Sequence, residues 1–548
     1  MEGNDYNFDP MTGEAIVRPQ EEALPQQPKR TFTAVEKALA WLSALLGYLF
    51  CRTFWVWEKP IVGLGFTVCL YAFAFIFFGT KKRKIRSWFY PVSALLLSSA
   101  LFFSASPVLL FFVFAYVCVS FLLFCQTGSE TALEGHAGQL YVLETVKAVF
   151  VSPFKSIGAP FGAIGSNKGG KKAGKTFLIV LAGIAVAVIP TVIVLRLLSY
   201  DSNFVDSLEQ IRTTLFDKIF THILSLVLGV PIGIYLFAAV YSSKHPTPDG
   251  YNAENCRKVV NGIKFAPSLV GAVAIIPLLF LYIVFIYAQR DYYQAIFTST
   301  LPDAFTFSEF ARNGFFRLCA VAAINAVVLI GLRVFSKKTS AGKISPVVRI
   351  YTVVLSLVTI VISGTAISQM IMYVSAYGLT RLRLYTLWFM GLLILLFLVA
   401  ILKQLIEKLP FAAVTLTLFV LCFGLLTVPD ADAFIARHNY NCRLSGTTSE
   451  LDISYLSSIA PSSVPVLCEI AQNETLPEET RQEALRAIGR YKSDTGTVSN
   501  LPTLLAEKAY ASLDPEQKRI VDELAKKYKT RRDEGRPDYM LPGQEELP

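Results

Sequence analysis

About eleven apolar runs, each roughly 20 residues long, divide this chain, and they constrain its fold before any motif is read. They lie near 36–54, 61–79, 88–104, 107–125, 176–198, 217–241, 267–289, 313–334, 347–373, 385–404 and 410–428. A run of that length is what an α-helix needs to cross a hydrocarbon layer, where no water is present to satisfy the backbone. With 53% of 548 residues apolar, 13% aromatic and only 17% charged, a soluble fold could not cover its apolar surface. The expected fold is all-α, a polytopic transmembrane helical bundle of about eleven spans.

Composition shifts mark the domains. Residues 1–35 are polar and proline-rich with no apolar core of a signal peptide, and read as a disordered cytoplasmic tail. Spans within 36–125 form an N-terminal group, whose third and fourth members share a Ser106-Pro107 turn suited to a tight hairpin. Residues 126–175 read as a cytoplasmic basic loop with an interfacial helix, and 176–428 as the main bundle. In that loop, residues 138–154 place Leu140, Leu143, Val146 and Phe150 on one helical face, which fits a helix lying in the membrane interface or one packed under the bundle.

Lys and Arg in the flanks give the orientation: one set of loops carries 26 and the opposite set 10. The positive-inside rule then puts the N-terminus in the cytoplasm and, with an odd span count, the C-terminus outside. Residues 429–548 hold 15 basic and 20 acidic residues, as expected of an extracytoplasmic module. Pro477, and Asp514 followed by Pro515, open helices there, so 429–530 reads as a small helical unit and 531–548 as a disordered tail.

The densest polar information lies in 363–390, SGTAISQMIMYVSAYGLTRLRLYTLWFM, where Gln369 sits within a span and Tyr373, Arg381 and Arg383 at its edge. An ionised side chain at a helix centre costs about 2.5 to 3.5 kcal/mol on insertion scales, so such groups must be paired or hydrated. A second cluster, Glu309, Arg312, Asn313, Arg317 and Asn325, precedes and enters the eighth span on the same side. The expected arrangement is an outer-face network in which Arg381 or Arg383, with Arg312 or Arg317, meets Glu309, fixing the spans and able to hold an anionic headgroup. Two arginines two residues apart point to different faces, so one can equally be an interface anchor.

Other features point to less. Gly169, Gly174, Lys175 and Thr176 satisfy a phosphate-loop pattern, but glycine-rich coil precedes them and an apolar span follows. Contact of these lysines with anionic headgroups explains the same residues, and no nucleotide site is expected. Nine cysteines and four histidines lack ligand spacing, so neither a metal nor any other cofactor is expected. Cys442 and Cys468, both in the outer unit, are a possible disulfide, and spacing leaves open whether they meet. Pro190, Pro231 and Pro277 interrupt three spans, either as plain kinks or as the broken helices of transporters. No span core holds an Asp or Glu, which argues against a carboxylate-based ion pump and against an acid–base pair for intramembrane hydrolysis.

The runs ARNGFFRLCAVAAIN (311–325) and YVSAYGLTRLRLYTLWFM (373–390) resemble hallmark stretches of a bacterial multi-pass membrane family, domain of unknown function 4173, related to 4153. DAFIARHNYNCRLSG and ELDISYLSSIAPSSVPVL are similar to what that family carries after its last span, so the resemblance covers roughly 60–470. It implies a helical bundle of this size in a bacterial plasma membrane and no activity; Cys442 and Cys468 depart from its pattern. The expected function is a non-enzymatic envelope scaffold or sensor. A transporter or lipid-handling permease is the alternative, and an intramembrane enzyme on lipid-linked substrates the third. Expected partners are membrane lipids, through anionic headgroups at the lysine-rich loops, and an unknown protein, with no nucleic acid.

Overall fold

A computed structural model of the chain describes residues 31–55, 60–79, 84–134, 140–165, 190, 194, 217–246, 251–264, 268–288, 307–337, 344–448, 451–494 and 500–533. Among these residues every element is helical. In chain order they are α1 (Ala34–Trp55), α2 (Pro60–Phe78), α3 (Phe89–Ser98), α4 (Ala100–Phe103), α5 (Pro107–Gly128), α6 (Tyr141–Val146), α7 (Ser152–Lys155) and α8 (Ala159–Gly165). Next come α9 (Asp217–Lys244), α10 (Ala253–Ile263), α11 (Ser268–Ala288), α12 (Phe307–Phe335), α13 (Pro346–Tyr377), α14 (Arg381–Leu405) and α15 (Phe411–Thr427). A C-terminal group follows: α16 (Ala431–Leu444), α17 (Ile453–Ser458), α18 (Val464–Gln472), α19 (Glu478–Asp494), α20 (Leu501–Ala511) and α21 (Pro515–Asp533).

Among the described residues, seven stretches are long and apolar enough to cross a membrane: Ala34–Thr53, Ile85–Phe103, Pro107–Gly128, Leu224–Lys244, Phe315–Phe335, Pro346–Tyr377 and Arg381–Leu405. An eighth is added if Phe411–Thr427 and Ala431–Leu444, bent by 59°, count as one span. The expected eleven is therefore not reached among the described residues. Val62–Phe78 and Ile275–Ala288 are shorter apolar stretches among the described residues; they belong to helices α2 and α11, which run to 19 and 21 residues. Of the expected span 176–198 only Pro190 and Val194 are described, both helical and exposed.

Contacts between helix ends sort the bundle into two faces. At one, Glu36 at the start of α1 meets Lys244 at 3.0 Å and His245 at 2.8 Å after the end of α9, and Gln126 near the end of α5 bonds to Ser152 and Ser243. On that face, too, Arg349 pairs with Glu407 and Arg333 lies over Phe411. At the other, Tyr48 meets His222 at 2.6 Å, Ser106 meets Tyr385 at 2.8 Å, and Arg381 meets Asp432. Lys147, Lys244 and Lys403 lie at the first, basic face, and among the described residues the C-terminal group lies at the second.

Local sequence sets the helix starts. Thr33 and Glu36 form a reciprocal capping box, with Thr33 N–H donating to Glu36 Oε2 and Glu36 N–H to Thr33 Oγ1. Pro107, Pro346 and Pro515 each stand in a first turn, where a missing N–H costs nothing. Pro231 lies inside α9 between Gly229 and Gly233, at the crossing with α1. A side chain on Gly47 of α1 would overlap the Gly229 carbonyl oxygen, so bare backbones make this contact, the small-residue mode of packing between helices in lipid.

The 138–154 segment differs from expectation. Leu140 faces inward with Glu144, Ala148 and Ser152, while Val142, Val146, Phe150 and Phe154 face outward. Lys147–Val151 is a π turn. Pro153, which lacks an N–H, leaves the Val149 carbonyl without its helical donor, and Tyr235 Oη of α9 donates to it instead at 2.7 Å. The face therefore follows steps of four residues through the wider turn, which the 3.6-residue periodicity of the sequence does not anticipate.

Candidate functional site

The conspicuous polar constellation lies where the bundle meets the C-terminal helices. α13 ends at Tyr377, and Gly378 turns the chain at φ +73°, a left-handed value that glycine adopts without strain. The Asn439 side chain then holds the next residue at both ends, accepting from Leu379 N–H at 2.6 Å and donating to Leu379 O at 2.9 Å. Thr380 caps α14 by accepting from Arg383 N–H.

This turn aims the two arginines apart. Arg381 donates from Nε and Nη2 to the two oxygens of Asp432, at 2.7 and 2.6 Å, and its backbone N–H donates to Tyr455 Oη at 2.6 Å. Asp432 is 0% exposed, so the two-pronged pair is the only solvent it has among the described residues. Arg383 points back, donating to Tyr377 O at 2.9 Å and to Gly378 O, with its guanidinium 4.2 Å from the Tyr373 ring centre. It thereby satisfies carbonyls left open at the C-terminus of α13 and places a cation at the negative end of that helix. Asp430 caps α16, accepting from Asp432 N–H at 3.1 Å and Ala433 N–H at 3.4 Å, and burial pushes its carboxyl above the usual range. The result is a clasp made by α14 and α16 together with Tyr455 of α17.

The expected outer-face network is described only in part. Arg381 takes Asp432 as its carboxylate, while Arg317 is exposed on α12. The side chains of Glu309, Arg312 and Asn313 lie outside the described residues, as do Gly169, Gly174, Lys175 and Thr176 of the phosphate-loop pattern. Asn325 and Gln369 lie within the bundle, 0% and 2% exposed. Asn325 accepts from Tyr282 Oη at 2.6 Å and donates to Thr359 Oγ1 at 2.9 Å, joining α11, α12 and α13. Sequence reasoning missed Asp432, Asn439 and Tyr455. One signal could have found Asp432: it is a carboxylate just past the last apolar run, on the side where Arg381 ends.

Cys442 and Cys468 are free thiols in this structure, Cys442 beside His438 at 3.5 Å and Cys468 in the core of α18. Burial pushes the Cys468 thiol up to about 12, so it carries almost no thiolate near neutral pH. Iodoacetamide applied to the folded protein is expected to modify half-buried Cys442 and spare Cys468 until denaturant is added. Equal labelling of both by mass spectrometry would contradict the packing of α18.

The C-terminal group shares one core with the bundle: Phe315, Leu355 and Met390 belong to the same buried cluster as Leu456, Leu467, Ile488 and Val521. Among the described residues, seven or eight helices of spanning length, all-helical architecture and a helical group clasped to one end fit the class of multi-pass membrane proteins. The model of the family described as "Domain of unknown function (DUF4153)" matches residues 91–470, more than half of the chain, and the chain belongs to that family. The match supports the related family 4153 rather than 4173. It runs from α3 into α18 and contains the whole clasp. No curated protein and no solved structure matches the chain.

Proposed function

We propose that this protein is a non-enzymatic scaffold of the bacterial plasma membrane, with a cytoplasmic N-terminus and its C-terminal helices outside. The observation that carries this reading is the clasp over a shared core, which ties the C-terminal helices to the bundle as one body suited to presenting a fixed surface. Closure supports it as well: Asn325 and Gln369, polar residues within the spans, are sealed by packing among the described residues. Orientation rests on the excess of Lys and Arg in one set of loops along the sequence. Reporter fusions after Lys84, Gly170 and Pro548 are expected to read inside, inside and outside; an inside signal at Pro548 would reverse the placement of the C-terminal group.

One observation favours a permease instead. Ser356 Oγ, Ser363 Oγ and Gln369 Oε1 are buried on α13 with no hydrogen-bond partner among the described residues, and a hydrated path would satisfy them. Cysteine at 325 or 369, probed in sealed vesicles with a membrane-impermeant thiol reagent, separates the readings. The scaffold leaves both unmodified from either face, whereas labelling from one face would favour a permease.

A further inference from the structure

The segment 140–165, at the basic face, is amphipathic in an inverted sense. Val142, Val146, Phe150 and Phe154 are exposed, while Glu144 is 1% exposed on the face turned to the bundle. Neither Glu144 oxygen has a hydrogen-bond partner among the described residues, nor does Glu144 form an ion pair there. The titratable and charged groups around it are few. Tyr141 is on its own helix, Lys147 one turn on, Tyr90 comes from α3 and Glu134 from the preceding loop. Lys147 Nζ is engaged elsewhere, donating to Thr131 O at 3.3 Å. Glu134 accepts from Leu140 N–H and pairs with Arg257 of α10 at 3.0 Å. From α5 come Tyr116, which is coupled electrostatically to Tyr90 and Tyr141, and Gln126, which is neutral and bonded to Ser152 and Ser243.

An ionised carboxylate sealed without partners is so unfavourable that the group takes up a proton instead. Burial pushes Glu144 up to about 7, with Lys147 opposing and Glu134 assisting. The other bonds that seat this segment do not change charge near neutral pH: Tyr235 Oη on Val149 O, and Tyr251 Oη on Leu143 O at 3.2 Å. Glu144 is thus the group of this seat that titrates there.

We propose that Glu144 is a proton-operated latch: protonated, it lets the 140–165 segment seat against the bundle, and ionised, it releases the α6 turn. This goes beyond the scaffold reading by giving the basic face a response to pH. The sign follows from the raised value. Seating is fully favoured below the ordinary carboxyl value of 4.5, weakens about tenfold per unit as pH rises toward 7, and stays weak above that. Release would uncover Tyr90 and Gln126 and free the apolar stripe from its fixed register.

The test uses the full chain in lipid nanodiscs with two readouts, infrared detection of a protonated carboxyl and fluorine NMR of a fluorinated phenylalanine at position 150. The unaltered chain is expected to lose a carboxyl band with a midpoint near 7, and the fluorine signal to move with the same midpoint. In Glu144→Gln, which keeps shape without charge, both transitions should vanish with the signal held at its low-pH position. Persistence of the band in Glu144→Gln, or a fluorine signal flat with pH in the unaltered chain, would overturn the latch. Should Glu144→Gln fold poorly, Lys147→Gln serves instead. Removing the opposing cation should move the midpoint upward, and an unmoved midpoint would equally overturn the assignment.

Discussion

Gly229→Ala is expected to cost about 2 kcal/mol or more of stability, and Gly47→Leu to abolish folded protein. A Cβ on Gly229 would lie 2.6 Å from the Gly47 carbonyl carbon and from Tyr48 N, and one on Gly233 would overlap the Ser43 carbonyl oxygen. These are backbone atoms of a packed helix, so relief requires moving α1 and α9 apart along their whole crossing. Alanine gains about 1 kcal/mol over glycine in helix propensity, a smaller term than the overlap it creates here. Gly65 supplies the control: it is helical in α2, with nothing within 4 Å of an added Cβ, and Gly65→Ala should be neutral or slightly stabilising. The measurement is monodisperse yield and thermal midpoint in detergent. Equal behaviour of Gly229→Ala and Gly65→Ala would mean the helices do not cross this closely.

The second large effect concerns the clasp. Arg381→Leu leaves the Asp432 carboxylate buried with neither of its guanidinium bonds, and removing one partner of a buried pair costs about 3 to 5 kcal/mol. Arg381 is itself 30% exposed, which places the expected loss at the lower end. Arg381→Lys keeps the charge but loses the two-pronged geometry, for an intermediate loss of about 1 to 2 kcal/mol. The double replacement Arg381→Leu with Asp432→Leu should recover most of the loss, because no charge is then left unpaired. Proteolysis of the C-terminal group and thermal unfolding read the same quantity in two ways. If Arg381→Leu changed stability by less than about 0.5 kcal/mol, the ordinary range for a surface substitution, the pair would not fasten the C-terminal helices.

Much of the architecture is legible in the residues because lipid imposes a length and an apolarity that composition reveals directly. Seven of the apolar runs reappear as helices of spanning length, the Ser106-Pro107 hairpin forms, and α21 begins at Pro515. The 138–154 stretch is legible only in part: its apolar side chains show, but a π turn and the Pro153 gap, filled by Tyr235 from 86 residues away, set which of them face out. For the candidate site, Arg381, Arg383 and Tyr373 stand out because charge beside an apolar run demands a partner. The partner itself does not, since Asp432 is 51 residues on and Glu309 is equally plausible by sequence position.

The sequence by itself determined that this chain is built from membrane-length helices with its basic loops on one set of connections, because helix length, solvent of the side chains and flanking charge are all local properties. Tertiary structure alone decided that Asp432 completes Arg381, that Asn325 bridges Tyr282 and Thr359, and that Glu144 turns inward beneath an apolar surface. Each of these depends on which helix faces lie together, and helix pairing in lipid is settled by close backbone approach, as at Gly47 and Gly229, rather than by any signal within one segment.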